Sequence, residues 1–159
     1  MDIYDNAEQL KQVPLYAGCD KAKLNLLAFT SEVITFREGE YLFRLNEPSD
    51  SVYVILKGTV DVLYDKDPNS VLKVATLGKN NMLGEMGVFL SAPRSASILA
   101  LEQVQALKIQ ADRFIKLATE TPQIALSVMK ELSSKIAFTG DMALKSSAEL
   151  QQLKHQFEP

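Results

Sequence analysis

From residue 32 to residue 110 the sequence divides into short runs of strand-forming residues, separated by glycine or polar turns. Apolar and polar side chains alternate in several runs, which is the pattern of a half-buried β-strand. The predicted strands are a run that begins at Glu32, followed by residues 41–43, 51–56, 59–64, 71–77, 96–101 and 104–109. Helices do not alternate with these runs, which disfavours a parallel nucleotide-binding sheet. The spacing predicts an antiparallel sandwich or a jelly-roll β-barrel.

Glycines mark the turns between these strands. Gly58 follows Lys57 between the runs 51–56 and 59–64, and we expect a tight hairpin there with Gly58 at a positive φ angle. Gly39 and Gly78 are predicted to form turns in the same way. These glycines therefore support the fold and carry no information about activity.

The run 59–64 alternates clearly enough to predict its two faces. Val60, Val62 and Tyr64 are expected to share one face of the strand. Asp61 and Asp65 are expected to share the other face, which would be in contact with water.

Helical patterns lie on both sides of the strand region. Helices are predicted at residues 6–12, 20–31 and 111–118, and over about 30 residues from Pro122. Asp20 is expected to cap the second helix, and Thr121 to cap the last one with Pro122 in its first position. We therefore divide the single domain into residues 1–121, which hold the N-terminal helices and the barrel, and a C-terminal helix, 122–159.

The C-terminal helix carries an apolar seam in steps of three and four residues, as in a coiled coil. The seam consists of Met129, Leu132, Ile136, Thr139, Ala143, Ser146, Leu150 and Leu153. A seam of this length predicts a parallel homodimer. The alternative is a helix that folds back or frays beyond Gly140, which weakens a helix by roughly 1 kcal/mol relative to Ala.

Composition excludes several classes of protein. The net charge of −3 disfavours a nucleic-acid-binding surface. The sequence contains no run of about 18 apolar residues, so no membrane span is expected. The acidic N-terminus is unlike a secretory signal. Cys19 is the only cysteine, so an internal disulfide is impossible and a cytoplasmic location is expected.

Residues 84–97 have the composition of a small anion-binding cradle. Gly84 lets the main chain turn sharply and approach a ligand closely. Residues 85–90 are long enough for one short helix with free N–H groups at its start. Arg94, after Pro93, provides a planar guanidinium that can donate to two phosphate oxygens. Hydroxyl groups are added at the same rim by Ser95 and Ser97. The stretch therefore suits a sugar phosphate.

This stretch resembles the phosphate-binding cassette of the cyclic nucleotide-binding domain family, and the resemblance extends from about residue 10 to residue 140. It implies that Glu85 accepts the ribose 2′-OH, that Arg94 neutralises the cyclic phosphate, and that Ser95 donates to the phosphate or the base. The candidate ligand-binding residues are Gly84, Glu85, Met86, Arg94, Ser95, Ser97 and Thr139.

Three positions outside the cassette refine the resemblance. Asn80 stands where the family usually has a second glycine, and Asn tolerates the left-handed conformation. Alignment with the long helix of the bacterial catabolite activator places Thr139 at a threonine that contacts adenine, which favours cAMP over cGMP. Gly140 replaces a serine that reaches the partner subunit's nucleotide, which puts that contact in doubt. The alternative for Thr139 is a tolerated polar residue in a loose seam.

The leading hypothesis is a regulatory module, not an enzyme, that binds cAMP or cGMP without a cofactor and signals through its C-terminal helix to an effector. A jelly-roll metalloenzyme needs several histidines, whereas His155 is the only one in this sequence. Nucleophilic catalysis by Cys19 lacks a histidine base. A DNA-binding regulator would need a further motif after the long helix, and the sequence ends at Pro159. The remaining alternative is a degenerate member of the family that serves as an interaction scaffold. The alternative role for Arg94 and Glu85 is an internal surface ion pair, worth about 0–1 kcal/mol.

Overall fold

The computed structural model describes residues 3–13, 16, 18–130 and 133–134. The helices are α1 (Ile3–Leu10), α2 (Lys21–Phe29), α3 (Glu85–Phe89) and α4 (Ala111–Glu120). The strands are β1 (Glu32–Phe36), β2 (Tyr41–Phe43), β3 (Ser51–Lys57), β4 (Val60–Tyr64), β5 (Leu72–Leu77), β6 (Met82–Leu83), β7 (Ser97–Ala100) and β8 (Val104–Gln110). Among those residues, none of the helices has both the length and the apolar character that a membrane span requires.

Within the described residues the strands form two four-stranded antiparallel sheets. Sheet I has the order β1-β8-β3-β6, and sheet II has the order β2-β7-β4-β5. The antiparallel fold with flanking helices that the strand pattern predicts is therefore confirmed. The short strand β6 is the one element of the sheets that the sequence pattern did not predict.

The hairpin predicted at Gly58 is wrong, although Gly58 does make a turn at φ +97°. Strand β3 belongs to sheet I and pairs with β8 and β6, whereas β4 belongs to sheet II and pairs with β7 and β5. Successive residues 51–56 of β3 are all buried. A strand covered on both faces lies inside a layered structure, so the turn carries the chain from one sheet to the other.

The exposures along β4 follow the predicted alternation only in part. Pairing between β4 and β5 shifts by one residue between Val62 and Leu63. Leu63 is buried, while Tyr64 is 43% exposed. Irregular pairing of this kind cannot be read from apolar periodicity, because the extra residue lies in the neighbouring strand.

Two apolar clusters fill the interior, one on each side of β3. Val52 and Val54 contribute to the cluster beneath the helices, which includes Phe114 of α4. Tyr53 and Ile55 point the opposite way, into the cluster between the two sheets. Sheet I is therefore the middle layer, with helices on one face and sheet II on the other.

Helix α2 begins as predicted. Asp20 adopts an extended conformation, and its carboxylate accepts a hydrogen bond from the Ala22 N–H at 3.3 Å. The helix ends at Phe29, so residues 30–31 of the predicted range lie beyond it.

Residues 122–130 are helical, which agrees with the predicted start of the C-terminal helix. The Thr121 carbonyl accepts hydrogen bonds from the N–H groups of Ile124 and Ala125, at 3.0 and 3.1 Å. Most of the predicted seam lies outside the described residues, and so does Thr139. The division of the domain at residue 121, the homodimer and the adenine contact remain predictions.

Candidate functional site

The stretch 84–97 folds into a compact loop around one short helix. Gly84 adopts φ +86° and stands immediately before α3, so a sharp left-handed turn precedes the helix. The helix ends as the Leu90 N–H donates to the Met86 carbonyl at 2.9 Å. The short helix predicted for residues 85–90 is therefore present, with its last predicted residue as the C-terminal cap.

Beside this loop lies a recess with a cavity of about 140 Å³. It is lined by Phe43, Gly84, Glu85, Met86, Gly87, Arg94, Ser95, Ala96 and Ile98. Five of the residues predicted to bind a ligand are thus brought together: Gly84, Glu85, Met86, Arg94 and Ser95. Phe43, from β2 of sheet II, adds an apolar wall that the sequence analysis did not assign to the site.

The Arg94 guanidinium is almost completely buried at the base of the recess, with 3% of the residue exposed. Its Nη1 donates to the Gly84 carbonyl at 3.3 Å, and its Nη2 donates to Ser51 Oγ at 3.1 Å. Nη2 also lies 3.5 Å from the Asp50 carboxylate. The guanidinium carbon is 4.0 Å from the centre of the Phe43 ring, a cation–π distance.

Burial lowers the pKa of Arg94, and the negative charge of Asp50 opposes that shift. An arginine starts from so high a pKa that it remains a cation at neutral pH. Five N–H bonds are available on a guanidinium, and Arg94 Nε has no hydrogen-bond partner within the described residues. The base of the recess therefore holds a positive charge with a buried donor still available for an anion.

The backbone of Arg94 is held by the turn that joins β2 to β3. The Arg94 N–H donates to the Glu47 carbonyl at 2.8 Å, and the Asn46 N–H donates to the Arg94 carbonyl at 2.9 Å. Asn46 makes this turn at φ +72°. These contacts were not predicted from the sequence. Asn-Glu-Pro is a recognisable turn sequence, but nothing in it indicates which distant residue the turn will bind.

Glu85 is 1% exposed and lines the same recess as Arg94. The oxygens of a carboxylate accept hydrogen bonds, so Glu85 suits ligand groups that donate, such as sugar hydroxyls. Asp50, the residue before β3, forms an ion pair with Arg94. A recess that combines a buried carboxylate with a buried guanidinium offers an acceptor and a cation to one small polar ligand.

Ser97 does not join the recess. Its Oγ donates to Asp65 at 2.7 Å and accepts from the Leu45 N–H at 2.9 Å, and the residue is 1% exposed. The hydroxyl therefore ties β7 to the chain segments that follow β2 and β4. Ser95, by contrast, is exposed at the edge of the recess.

The family model described as the cyclic nucleotide-binding domain matches residues 33–121, more than half of the chain. The chain therefore belongs to the cyclic nucleotide-binding domain family. The matched region contains the whole cassette, and the resemblance inferred from the sequence is confirmed.

Among curated proteins, the chain is similar to the CRP-like cAMP-activated global transcriptional regulator of Mycobacterium tuberculosis. The two are 22% identical over 134 residues, which cover 84% of this chain and 60% of that protein. Lysophospholipase nte1 of Neurospora crassa is 26% identical over 123 residues, covering 75% of this chain and 8% of that protein. The chain thus spans less than two thirds of either relative.

Solved structures give the same fold. The sensor domain of the transcriptional regulator DNR from Pseudomonas aeruginosa aligns with a TM-score of 0.78 at 20% identity, over 89% of this chain and 95% of that chain. The regulatory domain of Toxoplasma gondii PKA, solved with cAMP, aligns with a TM-score of 0.73 at 20% identity, over 82% of this chain and 50% of that chain. At this level of identity the likeness establishes the fold.

Proposed function

We propose that the chain is a regulatory module that binds a cyclic nucleotide in the recess beside residues 84–97. The observation that carries the proposal is the state of Arg94, a buried cation whose Nε has no hydrogen-bond partner within the described residues. A cyclic phosphate would supply an anionic oxygen to that donor. The ribose would present its 2′-OH to Glu85, which lines the same recess.

The remaining predicted residues would complete the site. Ser95, exposed at the edge, would donate to the phosphate or to the base. Gly84 and Met86 line the recess and would contact the bound ligand. Ser97 is better explained as a tie between strands, because both of its described hydrogen bonds are internal.

The contribution of Arg94 to affinity follows from its hydrogen bonds to the phosphate. Two charge-assisted hydrogen bonds together contribute on the order of 3 kcal/mol, which corresponds to roughly a hundredfold in affinity. Asp50 is 69% exposed at its side chain, so its pairing with Arg94 is weakened by solvent. A phosphate can therefore replace Asp50 as the main counter-ion at small cost.

A route for the signal leads from the cassette to the helices. Phe89, at the end of α3, packs against Phe114 of α4 with ring centres 5.0 Å apart. Residues 122–130 follow α4 directly along the chain. A ligand that shifts α3 would change the packing of α4, and α4 would pass the change to the C-terminal helix and so to an effector.

The homodimer through the C-terminal helix belongs to the same proposal. Met129, the first seam residue, is 57% exposed, and Leu126 nearby is 51% exposed. A second copy of the chain would cover such side chains. Sedimentation equilibrium of the whole chain tests this: we expect a dimer that Met129→Asp converts to monomer, whereas a monomeric wild-type chain would contradict it.

We further propose that cAMP is preferred over cGMP through Thr139, that the module is not catalytic, and that it acts in the cytoplasm. The lone Cys19 supports a reducing compartment. The earlier expectation that nucleic acid plays no part gains no support, because one relative is a transcriptional regulator.

A second candidate function is a degenerate scaffold that no longer binds nucleotide. The observation in its favour is that Arg94 already has internal partners in Ser51, Asp50 and the Gly84 carbonyl. In such a protein the arginine would hold the loop closed without a ligand.

Calorimetric titration of the purified chain with cAMP, cGMP and acyclic 5′-AMP separates the two functions. We expect saturable binding of cAMP, weaker binding of cGMP, and much weaker binding of 5′-AMP. Absence of heat and of any thermal shift with the cyclic nucleotides would refute the module and favour the scaffold. Tighter binding of cGMP would refute only the role given to Thr139.

A further inference from the structure

A groove that shares no lining residue with the recess beside residues 84–97 runs between helices α2 and α4. Its cavity is about 110 Å³. It is lined by Lys23, Leu26, Leu27, Thr30, Arg113, Lys116, Leu117 and Glu120. An engineered apolar cavity of about 150 Å³ holds a benzene molecule, so this volume suits one large apolar side chain.

The lining residues follow the same spacing on both helices. On α2 and just after it they fall at i, i+3, i+4 and i+7 counted from Lys23. On α4 they fall at the same intervals counted from Arg113. This interval set is one face of an α-helix. Two helices that each present one continuous face form a seat into which a third helix can pack.

The apolar side chains of the groove include one exposed leucine. Leu26, which lines the groove, is 62% exposed. Leu117 and Leu27 are buried at the floor of the groove. A partner that packs into the groove would remove Leu26 from water, which is favourable.

The rim of the groove is positively charged. Lys23, Arg113 and Lys116 line it with only Glu120 of opposite sign, although the chain as a whole has a net charge of −3. Within the described residues none of the three cations forms an ion pair. Lys23 Nζ donates a hydrogen bond to Thr121 Oγ1 at 3.2 Å. The local charge therefore complements acidic side chains on a partner.

We propose that the α2–α4 groove is a docking site for an acidic amphipathic helix of a partner protein. One large apolar residue of that helix fills the cavity and covers Leu26. Acidic residues on either side of it face Lys23, Arg113 and Lys116. The proposal does not depend on the binding of a cyclic nucleotide.

An anionic membrane shares part of this chemistry, but the groove fits it poorly. Membrane attraction of this kind uses clusters of about four to eight basic residues. The groove offers three basic residues, and the acidic Glu120 lies beside them. Its apolar surface includes a concave depression that suits a side chain. A helix can place its charges between these groups, whereas a lipid surface cannot avoid Glu120.

The test selects peptides that bind the whole chain from a displayed library of random 20-residue sequences. The affinity of the synthesised selected peptides is then measured by fluorescence anisotropy. We expect the selected peptides to carry large apolar residues spaced three or four positions apart, with Asp or Glu on either side. Leu26→Ser and Lys116→Glu should each weaken their binding about tenfold or more. Leu72→Ser and Lys79→Glu, which change exposed residues elsewhere, are the matched controls.

Three outcomes would overturn the proposal. The selected peptides lack acidic residues, their binding is unchanged by Leu26→Ser and Lys116→Glu, or the selection yields no binding peptide. Co-sedimentation with phosphatidylserine vesicles that is abolished by Lys116→Glu would assign the groove to a membrane instead. Both variants replace exposed side chains, and unchanged melting temperatures would confirm that they remain folded.

Discussion

Replacing Gly84 by alanine tests how closely the cassette backbone and Arg94 fit together. Gly84 has φ +86°, a conformation that costs alanine about 1–2 kcal/mol. A Cβ atom at this position would also collide with Arg94 Nη1. The guanidinium must then move, and its hydrogen bond to the Gly84 carbonyl, now 3.3 Å long, contributes about 1 kcal/mol. We expect Gly84→Ala to lower the free energy of unfolding by about 2–3 kcal/mol.

Gly39 provides a matched control. It has the same φ angle of +86°, but a Cβ atom there would meet nothing within 4 Å. Gly39→Ala should therefore lose only the backbone cost of about 1–2 kcal/mol and keep its affinity for cAMP. Gly84→Ala should bind cAMP at least about tenfold more weakly, because Arg94 is displaced. Urea unfolding and calorimetry measure both quantities. Equal stability losses and equal affinities in the two variants would refute the reasoning.

Three further predictions concern other parts of the molecule. Ser97→Ala leaves the Leu45 N–H without its acceptor, so the free energy of unfolding should fall by about 1–3 kcal/mol while the affinity for cAMP stays at the wild-type value. Weaker cAMP binding at unchanged stability would instead indicate that Ser97 contacts the ligand. Phe114→Ala empties a fully buried position and should cost about 3–5 kcal/mol in urea unfolding, whereas Phe29→Ala, at a 69% exposed position, should stay within about 0.5 kcal/mol. Burial raises the pKa of the Cys19 thiol, and Lys23 opposes the shift. The neutral thiol therefore stabilises the fold below the ordinary pKa of about 8.5, and this contribution is lost as the pH rises further. Wild-type unfolding free energy should fall more steeply than that of Cys19→Ala between about pH 8 and 10, and parallel curves would contradict the assignment.

Much of the fold could be predicted from local patterns in the sequence. The strand runs, the helix after Asp20 and the short helix after Gly84 each follow from residues adjacent in sequence, and all are found. Asn80 was expected to tolerate a left-handed turn, and it has φ +72°. Its N–H donates to the Ile55 carbonyl at 2.8 Å, which shows why the turn is needed there.

What could not be predicted depends on contacts between distant residues. The crossing from sheet I to sheet II at Gly58 looks like a hairpin locally, because a tight turn needs the same glycine in either case. The surroundings of Arg94 come from Ser51, Asp50 and the turn at Glu47, all more than 40 positions earlier in the chain. The same holds for Ser97, whose type suited a phosphate but whose partners are Asp65 and Leu45.

The most direct test of the central claim compares cAMP binding by the wild-type chain and by Arg94→Ala in a calorimetric titration. Arg37→Ala, which changes an exposed arginine, controls for the loss of one positive charge. We predict saturable binding by the wild type and by Arg37→Ala, and a loss of roughly a hundredfold in Arg94→Ala, which should still unfold cooperatively. Equal affinities of all three proteins for cAMP, or the absence of binding by the wild type, would contradict the claim that Arg94 anchors a cyclic phosphate.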